Sequence, residues 1–149
     1  MFEPKRILVP TDFSEHSDKA LNEAIDIAGK YNSKIFLLHV IDKQVQQCAV
    51  DYCLTSSDVD KLEKDSISSS EEMLKKELSK FVNANAVHIE FDVKQGDPFN
   101  EIVKEQKDKD IDLVVMSSHG KTGIKKYMLG SVADKVIRNT TSRVLMVKD

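Results

Sequence analysis

The feature that most constrains this chain is an unbroken alternation of short apolar runs with segments of helical periodicity, from Ile7 to Val147. Such alternation predicts a parallel sheet, because a chain that re-enters a sheet in the same direction must cross over one face, usually as a helix. Ile7-Leu8-Val9 is apolar at every position, as a strand covered on both faces requires, and Pro10 stops it. Leu21, Ala24, Ile25 and Ala28 recur at helical spacing between about Ser14 and Tyr31, with Ser14 placed to cap the helix. Residues 34–41 are the most apolar stretch and predict a central strand. No period holds across residues 42–57, which read as a surface excursion.

A long helix is expected over residues 58–83, with Ile67, Leu74, Leu78 and Phe81 as its buried stripe. Its Ser66 and Ser68-Ser69-Ser70 are poor helix formers, so the first half is expected to fray. Val87, Ile89, Phe91 and Val93 alternate with polar residues, which marks a strand with one wetter face at an edge, ended by Gly96. Asp97-Pro98 supplies a cap and a first helical residue, with Phe99, Ile102 and Val103 inward and an end near Asp110. Residues 111–116 form the fourth strand, and the loop 117–129 follows. Val132, Ala133, Val136 and Ile137 are the stripe of the last helix, where Asp134 and Arg138 pair one turn apart. Residues 144–147 close the chain as a fifth strand. Right-handed crossovers turn this β-α-β-α-β-α-β-α-β order into an open, doubly wound sheet.

At 149 residues the chain has the length of one domain, able to bury roughly 68 to 70% of its unfolded surface. It shows no repeat or linker, so residues 1–149 are expected to form a single domain. The 40% hydrophobic and 32% charged composition is that of soluble globular proteins. A net charge of -3 without clustered Lys and Arg speaks against nucleic acid as a partner. No signal peptide opens the chain, and no apolar run approaches the ~20 residues of a membrane span, so a cytoplasmic location without membrane contact is expected. Cys48 and Cys53 have no Cys or His cluster to complete a zinc site and read as reduced thiols.

Ligands of doubly wound sheets bind outside the carboxyl ends of the strands, where the strand order reverses. Three segments lie there: Pro10-Thr11-Asp12, Val40-Ile41-Asp42, and residues 117–131. Asp12 is placed to accept hydrogen bonds from ribose hydroxyls or an adenine amino group, or else to cap the following helix. Gly120, Gly123 and Gly130 are three of only five glycines. Glycine permits positive φ and close approach of the backbone to a ligand, although a turn or packing role explains any one of them. Gly130-Ser131 opens a helix, so the N–H groups of Ser131 and Val132 and the Ser131 hydroxyl make an anion site aided by the helix dipole. Lys121 would add charge there unless it is simply solvated. Gly120-Lys121-Thr122 matches the end of a Walker loop, but no glycine stands five residues before Gly120, and the match is accidental. A Rossmann fingerprint is absent after the first strand.

Met116-Ser117-Ser118-His119-Gly120, nine residues, then Gly130-Ser131 resembles the nucleotide loop of the universal stress protein family, Gly-x-x-Gly, nine residues, then Gly with Ser or Thr. Residues 7–14 (Ile-Leu-Val-Pro-Thr-Asp-Phe-Ser), Leu38-His39-Val40-Ile41 and Val144-Leu145-Met146-Val147 resemble further marks of that family, in order over the whole chain. The resemblance implies a flavodoxin-like sheet of order 3-2-1-4-5, of the adenine nucleotide alpha hydrolase-like kind, and a homodimer formed through strand 5. It implies ATP or AMP as ligand, accompanied by magnesium or manganese. Asp12 would lie on the adenosine, the Val40 backbone on adenine, and Gly120, Gly130 and Ser131 on the phosphates. The binding set expected from residues and resemblance together is Pro10, Thr11, Asp12, Val40, Met116, Ser117, His119, Gly120, Gly130, Ser131 and Val132. Ser117 stands where the family pattern has its first glycine. Either its backbone needs positive φ, and serine is strained there, or it ends the fourth strand in an ordinary extended form.

The function expected is that of an adenine-nucleotide-binding regulatory stress protein acting as a dimer. The alternative is a nucleotide-free stress protein that works through dimer and partner contacts. Catalysis has less support, since hydrolysis needs a positioned base or water-orienting group, and only His119 and Asp12 are candidates, neither with a visible partner. His119, between Ser118 and Gly120, reads as a turn residue, and His39, inside an apolar strand, as a satisfied core residue. A phosphoacceptor receiver domain is excluded. It needs an acidic pair after strand 1, an aspartate after strand 3 and a helix after strand 5, whereas here strand 3 runs into Gly96-Asp97-Pro98.

Overall fold

The computed structural model describes residues 1–43, 55–120 and 128–148. Cys48, Cys53, Lys121 and Gly123 lie outside the described residues. The elements are β1 (Arg6–Pro10), α1 (Glu15–Tyr31), β2 (Lys34–Asp42), α2 (Ser56–Leu78), a 3-10 turn (Val82–Ala86), β3 (His88–Gly96), α3 (Pro98–Asp108), β4 (Leu113–Ser117), α4 (Ser131–Asn139) and β5 (Arg143–Val147). The five strands are parallel and ordered β3-β2-β1-β4-β5, so the order reverses between β1 and β4. The sheet order is the one the family resemblance implies, and β3 lies at the edge, as its alternation predicts.

Strand alternation divides the core between the two faces of the sheet. Ile7 and Val9 of β1 point into a cluster with Leu21, Ala24, Ile25 and Ala28 of α1 and Leu74 of α2. Leu8 points the other way, into a cluster with Phe36 and Leu38, Ile102 of α3, and Ala133 and Val136 of α4. Ile7, Leu8 and Val9 are fully buried, which accounts for the unbroken apolar run of that strand.

Two local expectations are corrected, the end of the long helix and the burial of Ile137. The long helix ends at Leu78 rather than Asn83, and the chain tightens into the 3-10 turn, which seats Phe81 and Ala84 against the core. Its first half is helical from Ser56 onward. Thr55 and Asp58 form a reciprocal capping box at its start, and Ser66, Ser69 and Ser70 face β2 across a cleft shared with His39 and Ile41. Helix α3 ends at Asp108, near Asp110 as expected, and Asp110 turns left-handed with φ 48°. Ile137 lies outside the buried stripe of α4, exposed at 41%.

Candidate functional site

The carboxyl ends of β1, β2 and β4 and the amino end of α4 enclose a cavity of about 370 Å³ at the point where the strand order reverses. Every residue of the expected binding set lines it: Pro10, Thr11, Asp12, Val40, Met116, Ser117, His119, Gly120, Gly130, Ser131 and Val132. Ser17, Leu38, Asp42, Pro98, Ile102, Ser118 and Ala133 complete the lining. Asp42, the last residue of β2, was readable from its place beside Val40. Pro98 and Ile102 come from the start of α3, which the topology lays across the sheet end, and nothing in their local sequence marks them.

Along β1 the chain leaves the sheet abruptly. The Thr11 N–H donates to the Leu38 carbonyl at 2.8 Å, and Asp12 Oδ1 then accepts from the Ser14 N–H at 3.0 Å. Asp12 therefore shapes the turn but does not cap α1. The cap is Ser14, whose hydroxyl accepts from the Ser17 N–H. Between them Phe13 has φ 62°, a left-handed conformation that side chains other than glycine, Asn and Asp rarely adopt.

Leu38 turns its carbonyl toward β1, and residues two apart along a strand turn their peptide groups to the same side. The N–H and C=O of Val40 consequently face the side from which β1 has departed, toward the cavity. His39 is half-buried, with Nδ1 2.9 Å from the Thr11 carbonyl and its ring 4.3 Å from that of Phe13. Since a carbonyl only accepts, this ring nitrogen carries the proton. His39 is thus bonded, as expected, yet serves the Thr11 turn rather than the core. The Thr11 hydroxyl is likewise engaged within the protein, donating to Glu77 Oε1 at 2.9 Å.

The third wall is the loop after β4. Gly130 N–H donates to the Ser118 carbonyl at 2.8 Å, which pins the two ends of the loop together. Neither Gly120 nor Gly130 has positive φ, so their role is close approach. A Cβ on Gly120 would stand 2.7 Å from Asp12 Oδ2, and one on Gly130 3.3 Å from the Ser118 carbonyl. Gly130 begins α4 with no side-chain cap, leaving the N–H groups of Ser131, Val132 and Ala133 without a carbonyl one turn back. His119 Nδ1 lies 2.9 Å from Ser118 Oγ, and its Nε2 is buried without a hydrogen-bond partner among the described residues.

Ser117 has no left-handed strain. It pairs with Val147 as the last residue of β4, and among the described residues the non-glycine residues of positive φ are Phe13, Asn32 and Asp110. Its hydroxyl donates to the His119 carbonyl at 2.6 Å. Ser117→Gly should therefore lower the melting temperature, by the loss of that bond and the added freedom of the unfolded chain, together about 1 to 2 kcal/mol. It should not tighten ligand binding. Paired melting curves and ATP titrations check this, and tighter binding by the glycine variant would contradict the extended geometry.

The cavity has a chemical polarity. Carboxylates of Asp12 and Asp42 border its β1 and β2 side, apolar Leu38, Ile102 and Met116 lie between, and uncapped N–H groups border its β4–α4 side. Among the described residues no group of three or more His, Cys, Asp and Glu is placed to hold a metal ion. No described helix is long and apolar enough to cross a membrane.

A five-stranded doubly wound sheet with this glycine-framed cavity defines an α/β binding fold of the flavodoxin-like class. The sequence profile of the Universal stress protein family matches residues 3–148, and the chain belongs to that family. Universal stress protein MJ0531 of Methanocaldococcus jannaschii is 36% identical over 97% of this chain and 82% of its own length. The solved structure of MJ0577 superposes with a TM-score of 0.84 at 29% identity, covering 99% of this chain and 98% of that one. A universal stress protein solved in complex with cAMP superposes with a TM-score of 0.71 at 22% identity, covering 99% and 98% of the two chains, a likeness of fold.

Proposed function

We propose that this protein binds an adenine nucleotide, ATP or AMP, at the carboxyl edge of its sheet, and acts as a regulatory stress-response protein rather than as an enzyme. The observation that carries the reading is the polarity of the cavity. A nucleotide presents hydrogen-bond donors at its ribose hydroxyls and adenine amino group, an apolar base face, and anionic acceptors at its phosphates. The cavity offers carboxylates, an apolar slot and uncapped helix N–H groups in the same succession. In this reading Asp12 accepts from the ribose, the Val40 backbone meets the adenine edge, and Gly120, Gly130, Ser131 and Val132 surround the phosphates with their magnesium or manganese. A cAMP complex in a protein of the same fold is in keeping with an adenine ligand.

The edge strand β5 supports a homodimer. Val144, Leu145, Met146 and Val147 are all half-buried and end the sheet on a free edge, which a second copy would cover. We take the chain as one cytoplasmic domain of this kind. The test is to denature purified protein, identify any released nucleotide by mass spectrometry, and titrate the emptied protein with ATP and AMP. An adenine nucleotide is expected, with the protein sedimenting as a dimer at micromolar concentration. An empty protein that ignores millimolar ATP would favour the nucleotide-free alternative, and a monomer would remove the dimer.

A further inference from the structure

The turn that carries Asp12 is suspended from a buried polar cluster beneath the cavity. Thr11 Oγ1 donates to Glu77 of α2, stands 3.0 Å from Ser17 Oγ, and accepts from the Phe13 N–H at 3.1 Å. That last bond holds the left-handed residue in place, so the shape of the turn is tied through one hydroxyl to Glu77. Thr11 and Ser17 both line the cavity, whereas Glu77 is 2% exposed on the far side of them.

Glu77 does not stand alone. Asp18 of α1 faces it, with Lys80 Nζ donating to Asp18 Oδ2 at 2.9 Å. The other oxygen, Asp18 Oδ1, is buried and meets no donor among the described residues. A proton on Glu77 directed at Asp18 supplies the missing donor and removes the repulsion between two adjacent carboxylates. Burial first, then the facing Asp18, push the Glu77 carboxyl up to about 7, against the pull of the Thr11 hydroxyl and Lys80.

We propose that Glu77 is a positioning residue for the Thr11-Asp12-Phe13 turn, and that loss of the proton it holds against Asp18 weakens the pocket's grip on nucleotide phosphates. The inference rests on the nucleotide-binding reading above. Losing that proton leaves two anionic carboxylates back to back beneath Thr11 and Ser17, which strains the suspension of the turn and turns the cavity floor against an anionic ligand. The charged groups that face Glu77 are Asp18 of α1 and Lys80 after α2, with Glu15 next to Lys80, and His39 of β2 reaches the same turn through the Thr11 carbonyl. The His16 and His119 rings lie 6.2 Å apart, and His119 lines the cavity. A variant must separate Glu77 from these neighbours.

Glu77→Gln keeps an acceptor for Thr11 and a donor for Asp18 but cannot titrate. ATP affinity and ligand-free melting temperature are measured for both proteins at about pH 6 and about pH 8, on either side of the Glu77 transition. Wild type is expected to lose affinity about fivefold at the higher pH, within the usual range of site-to-site coupling, while the Gln variant keeps its low-pH affinity. The folded chain holds this proton in an interval where the unfolded chain, with a carboxyl near its ordinary 4.5, has lost it. Wild-type stability should therefore fall as pH rises toward about 7, and that of the Gln variant should fall less. A Gln variant with the wild-type pH profile of affinity would assign the effect to groups other than Glu77 and overturn the proposal. Should the variant not fold, carboxyl NMR of the wild type reads the Glu77 midpoint directly, and a midpoint in the ordinary carboxylate range overturns it too. Failure of both proteins to bind ATP at either pH would overturn the nucleotide reading and the affinity claim together, while the melting curves separately decide the proton.

Discussion

Gly120→Ala is expected to weaken adenine-nucleotide binding at least tenfold, about 1.4 kcal/mol, while lowering ligand-free stability by no more than about 2 kcal/mol. The backbone at Gly120 lies outside the positive-φ region, so alanine meets no conformational penalty there. What it meets is Asp12. The new methyl group would stand 2.7 Å from Asp12 Oδ2, closer than any carbon and oxygen tolerate, and the atom in its way is the end of a side chain that can rotate. Rotation relieves the clash at modest expense to the fold, but it pulls Oδ1 from the Ser14 N–H and turns the carboxylate out of its place on the cavity wall. A double-mutant cycle gives the sharper check. With Asp12→Ala in the background the methyl has room, so the two substitutions should be far from additive, as neighbours in contact are. Additive effects on both melting temperature and affinity would show that the two positions do not meet.

How much of this was legible in the sequence depends on whether a property is local. Strand β1 announces itself because both faces are covered and three successive residues must be apolar, and the stripe of α1 because only one face is. The cavity residues were legible for a related reason. Strand ends are visible as the points where apolar runs stop, and in a doubly wound sheet those points converge. Ile137 was misread because helical spacing tells which residues share a face, not whether a neighbour covers it. Glu77 was passed over, although it lies one turn from Leu74 on the buried face of α2, where a carboxylate is out of keeping with its company. A charged residue on an otherwise apolar stripe was the available signal. Its partners, Thr11 and Asp18, are distant in sequence and could only be supplied by the fold. Ser117 shows the same limit: the loop pattern marks a departure from glycine, but the φ that decides its meaning is set by pairing with Val147.

Replacing Asp12 separates its two duties. Asp12→Ala should reduce ATP affinity at least tenfold, about 1.4 kcal/mol, since an acceptor on the cavity wall is lost. The fold loses the bond from the Ser14 N–H, 3.0 Å long, worth about 0.5 to 1.5 kcal/mol, but retains the helix cap, because Ser14 and not Asp12 accepts from the Ser17 N–H. For a chain of this size that corresponds to a fall in melting temperature of about 2 to 4 °C per kcal/mol. Asp12→Asn refines the test. Its amide oxygen can still accept from Ser14, so stability should stay near wild type, while the charge that attracts ribose hydroxyl donors is gone. Affinity for the asparagine variant is then expected between wild type and alanine. The Asp12 carboxylate is an acceptor for the sugar in this reading, not a ligand for phosphate, so adenosine and ATP should lose similar factors of affinity on Asp12→Ala. A variant that loses ATP but keeps adenosine would place Asp12 at the phosphate end, with any cation there. One that melts far lower yet binds both ligands as wild type does would show that the carboxylate serves the turn alone.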